Sequence, residues 1–205
     1  MIRRRQPEPV IHQSLGLSEL CRRIEGSGDL RILELGTARG LNIDFWSRFG
    51  GSIYVADLPS SLPLPCPAEE GEFPELLWDR LVGLPANRRF DVVLAWDLLN
   101  YLEIATIAEL MRYLGHFCRP GTLLFSLIFD LKQMPEKLTT YRIVDEAHIS
   151  YEYGGPEMWA CPRHHSRALA AVMGRFQIIH SFRLRNGVIE YLFEYGNDKA
   201  SVAIG

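Results

Sequence analysis

The sequence predicts an open α/β sheet: mostly parallel strands, helices on both faces, and an antiparallel hairpin at the end of the chain. Three observations carry this expectation. Short aliphatic runs alternate with stretches of helical period. The runs "LRILELG", "SIYVAD", "FDVVLAW" and "LLFSLIF" are apolar almost throughout, as strands covered on both faces require. Near the end, two strand-like runs are joined through Asn186-Gly187, a pair that takes positive φ at little cost and so favours a tight antiparallel turn.

The elements follow in order. "LSELCRRIEG" places Leu17, Leu20, Cys21 and Ile24 on one helical face, with Gly26 as a stop. "LRILELG" is the first strand. "LNIDFWSRFGG" reads as a helix burying Leu41, Phe45, Trp46 and Phe49, and "SIYVAD" as the second strand, which completes a βαβ unit. The rhythm then breaks. Five prolines between Pro59 and Pro74, with Glu69, Glu70 and Glu72, predict a loop where a third strand would stand. "PELLWDRLVG" adds a short helix and "FDVVLAW" the next strand. "EIATIAELMRYLGHF" repeats Ile104, Ile107, Leu110, Met111, Leu114 and Phe117 at helical spacing. "RPGT" turns into "LLFSLIF". Residues 130–164 form an insertion with strand-like alternation in "YRIVDEAHISYEY". "SRALAAVMGRF" is the last helix, before the hairpin. All of this reads as one domain, 1–205, with residues 1–13 as a flexible tail.

Composition narrows the function. The 205 residues carry a formal net charge of −3, so there is no general pull toward nucleic acid or an anionic membrane. The one basic run, Arg3-Arg4-Arg5, reads as solvated tail. Cys21, Cys66, Cys118 and Cys161 have no CxxC spacing, which argues against a zinc knuckle or a redox pair. "CPRHH" brings Cys161, His164 and His165 close in sequence, but helix entry at Ser166 explains that cluster more simply than a metal. No apolar run approaches the roughly 20 residues that span a bilayer. A charged start without an apolar h-region points to the cytoplasm, with free cysteines.

In an open parallel sheet, ligands bind at the carboxyl ends of the strands. Here the first strand ends in Glu34-Leu35-Gly36-Thr37-Ala38-Arg39-Gly40. Glycines at 36 and 40 let backbone N–H groups approach a ligand closely. Asp57 ends the second strand, 21 residues after Gly36, where a carboxylate can accept both hydroxyls of a ribose. A dinucleotide fingerprint would need glycine where Ala38 and Leu41 stand, and GxxxxGK[ST] is absent.

"LELGTARG", "VAD", "FDVVLAWDLLNYLE" and "CRPGTLLFS", with the terminal hairpin, together resemble the S-adenosylmethionine-dependent methyltransferases of Rossmann-like fold, from Leu30 to about Tyr195. The resemblance implies a seven-stranded sheet whose third strand is degenerate here, and S-adenosylmethionine as cofactor. It implies that Glu34, Gly36, Thr37, Ala38 and Gly40 form the turn at the methionine part. Asp57 would hold the ribose, and Ala95 and Trp96 would border the methionine end. Asp97 and Tyr101 would face the methyl acceptor as candidate catalytic residues. The acceptor implied is a small molecule, with no nucleic acid and no membrane as partner. The aromatic-rich insertion (Tyr141, His148, Tyr151, Tyr153, Trp159, His164) suits an acceptor pocket or a homodimer contact. Because the third-strand motif is missing, the alternative is a catalytically inactive protein of the same fold, acting as a binding or assembly partner.

Overall fold

The computed structural model describes residues 10–61, 75–85, 87–162, 164 and 166–196. Its main sheet is built from β2 (Arg31–Glu34), β3 (Ser52–Val55), β4 (Phe90–Trp96), β5 (Cys118–Phe129), β10 (Phe176–Arg183) and β11 (Val188–Tyr195). Their order across the sheet is β10-β11-β5-β4-β2-β3. The pairs β2–β3, β2–β4 and β4–β5 are parallel, whereas β11 runs antiparallel to both β5 and β10. Six strands stand in this sheet among the described residues, where seven were expected. The expected place of the third, the proline-rich stretch, lies outside the described residues for 62–74, and Cys66, Glu69, Glu70 and Glu72 with it.

Alternate strand residues point to opposite faces, and each face has its own core. On one side Leu33, Val93, Ala95, Leu124 and Phe193 pack with Ile107, Leu110 and Leu114 of α4 (Ile104–Leu114). Leu77 and Leu81 of α3 (Glu75–Leu81) and Leu169 of α5 (Ser166–Val172) join that face. On the other side Ile32, Val92, Leu94, Phe125 and Leu192 pack with Leu17, Leu20, Cys21 and Ile24 of α1 (Leu15–Ile24). Phe45 and Trp46 of α2 (Gly40–Ser47) complete that layer. Gly51 leads into β3 so close to the neighbouring strand that a Cβ would sit 1.6 Å from the Leu30 carbonyl oxygen, so only glycine fits.

One helix departs from the expectation. Leu41 is 58% exposed, and Asn42 is buried in its stead. The Asn42 amide donates to the Tyr141 carbonyl at 3.2 Å, and its carbonyl accepts from the Ile143 N–H at 2.9 Å. An inward amide thus pairs with a strand edge that would otherwise be buried without partners.

Residues 10–13, expected to lie in a flexible tail, are ordered as a strand. They form β1 (Val10–Gln13), which pairs antiparallel with β8 (His148–Glu152), itself paired with β7 (Thr140–Asp145). The insertion therefore makes a three-stranded sheet, β1-β8-β7, with help from the N-terminal segment. It also makes a small ribbon of β6 (Gln133–Pro135) and β9 (Met158–Ala160).

Candidate active site

The carboxyl ends of β2, β3 and β4 converge on the turn that leads into α2. Glu34, the last residue of β2, is 4% exposed and turns inward. Its Oε1 accepts the Gly36 N–H at 2.7 Å, and both carboxylate oxygens accept from Trp96 Nε1 at 2.9 Å. Burial pushes the Glu34 carboxyl up to about 8, and the two donors only partly offset that. Gly36 is required by this packing: a Cβ there would lie 2.7 Å from Glu34 Oε1 and 3.0 Å from Trp96 Cδ1. Thr37, Ala38 and Gly40 are exposed, and none of residues 36–40 has positive φ, so the methyl group of Ala38 costs nothing. A Cβ at Gly40 would meet nothing within 4 Å.

Asp57 follows β3 with φ 49°, a left-handed conformation that aspartate tolerates better than most residues. Its two carboxylate oxygens accept from two hydroxyls, Thr37 Oγ1 at 3.0 Å and Ser60 Oγ at 2.5 Å. The ends of β2 and β3 are thereby joined across the turn.

At the end of β4, Ala95 is fully buried and Trp96 is 5% exposed. Trp96 has φ 46°, a strained backbone for a bulky residue. Four contacts hold it there. Its indole N–H is on Glu34, its carbonyl accepts from Ser126 Oγ at 2.9 Å, and Phe125 meets its ring edge-on. Tyr141 stacks on it with ring centroids 5.4 Å apart and planes 6° from parallel.

Asp97 and Tyr101 anchor the insertion. Asp97 is fully buried and its Oδ2 accepts the Thr139 N–H at 3.0 Å. Burial raises its carboxyl to about 7. The Tyr101 hydroxyl donates toward the carbonyls of Pro135 at 2.9 Å and Lys137 at 3.1 Å, and burial lifts its pKa above the ordinary value. Asn100 ties the same region to β5, donating to Leu127 O and accepting from Phe129 N, each at 2.8 Å. Sequence reading missed Asn42, Asn100 and Thr139. Each is a buried polar residue, and the bonds that tie it to another element reach too far along the sequence to be seen.

The aromatic residues of the insertion divide. Tyr141, Tyr151 and Tyr153 line one recess. His148 instead faces Asp145 at the outer turn, and Trp159 is 42% exposed. His164 contacts Leu102 O through Nε2 at 3.1 Å, and the Cys161 thiol reaches Phe129 O. Among the described residues no three metal-binding side chains converge. Cys21, Cys118 and Cys161 are free and buried, and among the described residues no helix is long and apolar enough to cross a membrane.

In an open α/β sheet ligands bind in the crevice outside the carboxyl ends of the parallel strands, and here the acidic ends of β2 and β3 meet beside the short turn into α2. A family model for a methyltransferase domain matches residues 6–184, and the chain belongs to that family. Among solved structures it is similar to an S-adenosylmethionine-dependent methyltransferase from Clostridium acetobutylicum ATCC 824. That match has 13% identity, covers 89% of this chain and 90% of that one, and has a TM-score of 0.54. It is also similar to the glycopeptide N-methyltransferase MtfA complexed with sinefungin, at 15% identity over 89% and 86%, with a TM-score of 0.51. DesVI of Streptomyces venezuelae shares 10% identity over 87% and 88%, again with a TM-score of 0.51. At such identities the likeness is one of fold. No curated protein matches the sequence.

Proposed function

We propose that the protein is an S-adenosylmethionine-dependent methyltransferase acting on a small-molecule acceptor. The observation that carries this reading is Asp57. Its two carboxylate oxygens already accept from two hydroxyls, the same donor set that the vicinal hydroxyls of a ribose present. Family membership supports the transferase activity, and the likeness of fold to an S-adenosylmethionine-dependent methyltransferase supports the cofactor.

In this reading Asp57 holds the ribose, with Thr37 and Ser60 keeping its carboxylate in place. Glu34 fixes the Gly36 N–H and the Trp96 ring, so the turn through Ala38 to Gly40 keeps its shape. Ala95 and Trp96 border the methionine end. The cofactor, when bound, supplies a methyl group activated on a sulfonium centre. Transfer from it needs mainly proximity and orientation, and a base only where the acceptor must lose a proton. Asp97 and Tyr101 are spent on holding the 133–140 segment over the strand ends, so their work is to position the cover. A small-molecule acceptor is favoured because the insertion packs against the end of β4, through the Trp96–Tyr141 stack and the Thr139 bond to Asp97, and the chain carries no net positive charge.

Calorimetry with S-adenosylhomocysteine, with NAD as control, tests the reading. Binding of S-adenosylhomocysteine and not of NAD is expected. Asp57→Ala should weaken it roughly ten- to hundredfold, the loss that goes with hydrogen bonds to a charged acceptor. Stabilisation by NAD alone would overturn the assignment, and unchanged affinity in Asp57→Ala would remove Asp57 from the ribose site.

A further inference from the structure

The turn after β4 carries a buried carboxyl group that is only half engaged. Asp97 is fully buried, and its Oδ2 accepts the Thr139 N–H at 3.0 Å. Its Oδ1 has no partner, and Thr139 Oγ1, also shut off from solvent, has none either. Among the described residues, then, no cation is bonded to Asp97. The titratable groups that face it are two phenols, Tyr101 from its own turn and Tyr141 from β7. Burial raises the pKa of both, so both stay neutral well above pH 7. Glu34, at the end of β2, is engaged by Gly36 and Trp96. His164 contacts Leu102 O, and Arg39, exposed on the Gly36 turn, bonds the Thr140 hydroxyl at 3.3 Å.

The two sides of the contact are not held alike. The Asp97 carbonyl accepts from Asn100 twice, from the backbone N–H at 3.1 Å and from Nδ2 at 2.8 Å, and Asn100 is bonded in turn to β5. Asp97 is therefore fixed. Across from it, residues 136–139 belong to no helix or strand. This connection is anchored behind by the Tyr101 hydroxyl on the Pro135 and Lys137 carbonyls, and ahead by Asn42 on Tyr141 and Ile143. Between those anchors, the bond to Asp97 is the hydrogen bond that fastens Thr139 to the main sheet.

We propose that Asp97 is a proton-controlled latch on the connection through Thr139. A neutral carboxyl accepts the Thr139 N–H through Oδ2 and donates its own proton from Oδ1 toward Thr139 Oγ1, so one proton satisfies both orphaned oxygens. When that proton leaves for solvent, a charge stays behind in a buried site without a cation, and water must enter to relieve it. The side able to yield is residues 138–139, whose lifting opens the end of β4 beside Trp96. Burial raises the Asp97 carboxyl from 3.8 to about 7, which brings the change close to neutrality. The closed form holds the proton more tightly than the open form does. Opening therefore becomes easier as pH rises toward 7 and levels off above it.

Amide exchange, read by NMR on the full chain from pH 5 to 8, tests the latch. After correction for the intrinsic pH dependence of exchange, protection of the Thr139 amide should fall roughly fiftyfold over that range, most of it below pH 7. Asp97→Asn puts a neutral amide in the same shape and should hold that protection constant. Glu34→Gln removes the other buried carboxyl of the strand ends and should leave the fall at Thr139 in place. The amides of β4 and β5 should be more strongly protected at every pH, because they open only with the whole fold. The proposal is overturned if Thr139 protection in the natural protein is flat or rises with pH, or if it equals that of β4 and β5 throughout. It is also overturned if Asp97→Asn keeps the fall or Glu34→Gln abolishes it. Should Asp97→Asn not fold, the profile of the natural protein with that of Glu34→Gln decides.

Discussion

Two glycines of one turn are under different constraints. A methyl group at Gly36 would press on the Glu34 carboxylate and the Trp96 ring, whereas at Gly40 it would meet open space. Gly36→Ala should cost about 1–3 kcal/mol, as overpacking of a rigid site does, and Gly40→Ala should leave the melting temperature nearly unchanged. Differential scanning fluorimetry of both variants checks the contrast; equal effects would show that the Glu34–Trp96 contact is not what demands a glycine. Tyr101→Phe removes one hydroxyl from two carbonyls of the insertion. A loss of about 1 kcal/mol is expected, or roughly 2–4 °C for a chain of this size. Cofactor affinity should hardly move, because the hydroxyl secures the cover. A large fall in affinity for S-adenosylhomocysteine with the fold intact would show that Tyr101 touches the ligand.

Among the elements, α2 shows what a sequence can and cannot reveal. Its existence and length were legible, because Phe45 and Trp46 sit between a glycine-rich turn and a glycine stop. Its exact facing was not: an apolar residue at 41 reads as buried, yet Asn42 takes the inward position to bond β7. Asn42→Leu leaves Tyr141 O and Ile143 N without partners. It should speed hydrogen exchange across residues 140–151 while the exchange of β4 and β5 stays slow. Equal acceleration in the central strands would mean that the small sheet is not a separate unit. The apolar strands β2, β4 and β5 and the hairpin were readable from composition and from Asn186-Gly187. β1 was not, since "VIHQ" is short, half polar, and gains its partner only in β8. The turn of the candidate site was readable where it depended on spacing, as with Glu34, Gly36 and Asp57, which the fold brings to neighbouring strand ends. The site was unreadable where distant segments meet, as at the Trp96–Tyr141 stack and the bond from Thr139 to Asp97.

At the scale of the whole molecule, two buried carboxyls set the response to pH. Burial raises Glu34 from an ordinary 4.5 to about 8 and Asp97 from 3.8 to about 7. Between those limits the folded chain keeps protons that the unfolded chain releases, so stability falls as pH rises. The penalty is absent below the unfolded values and complete above the folded ones. Thermal denaturation from about pH 5 to 9 should therefore show a declining melting temperature through neutrality, and Glu34→Gln should flatten part of that decline. A curve rising over the same range would show that the two groups are ionised in the native protein. The contact between Gly16 and Glu190 has a consequence of another kind. Its partners are 174 residues apart along the chain. At translation rates of about 5–20 residues per second, α1 leaves the ribosome roughly 10–35 s before the strand that receives its first turn. β1 waits for less of that interval, until β8 is made, and is an unpaired edge meanwhile, a state open to non-native pairing. During synthesis, then, the first dozen described residues wait on the last third of the chain for contacts that fix them.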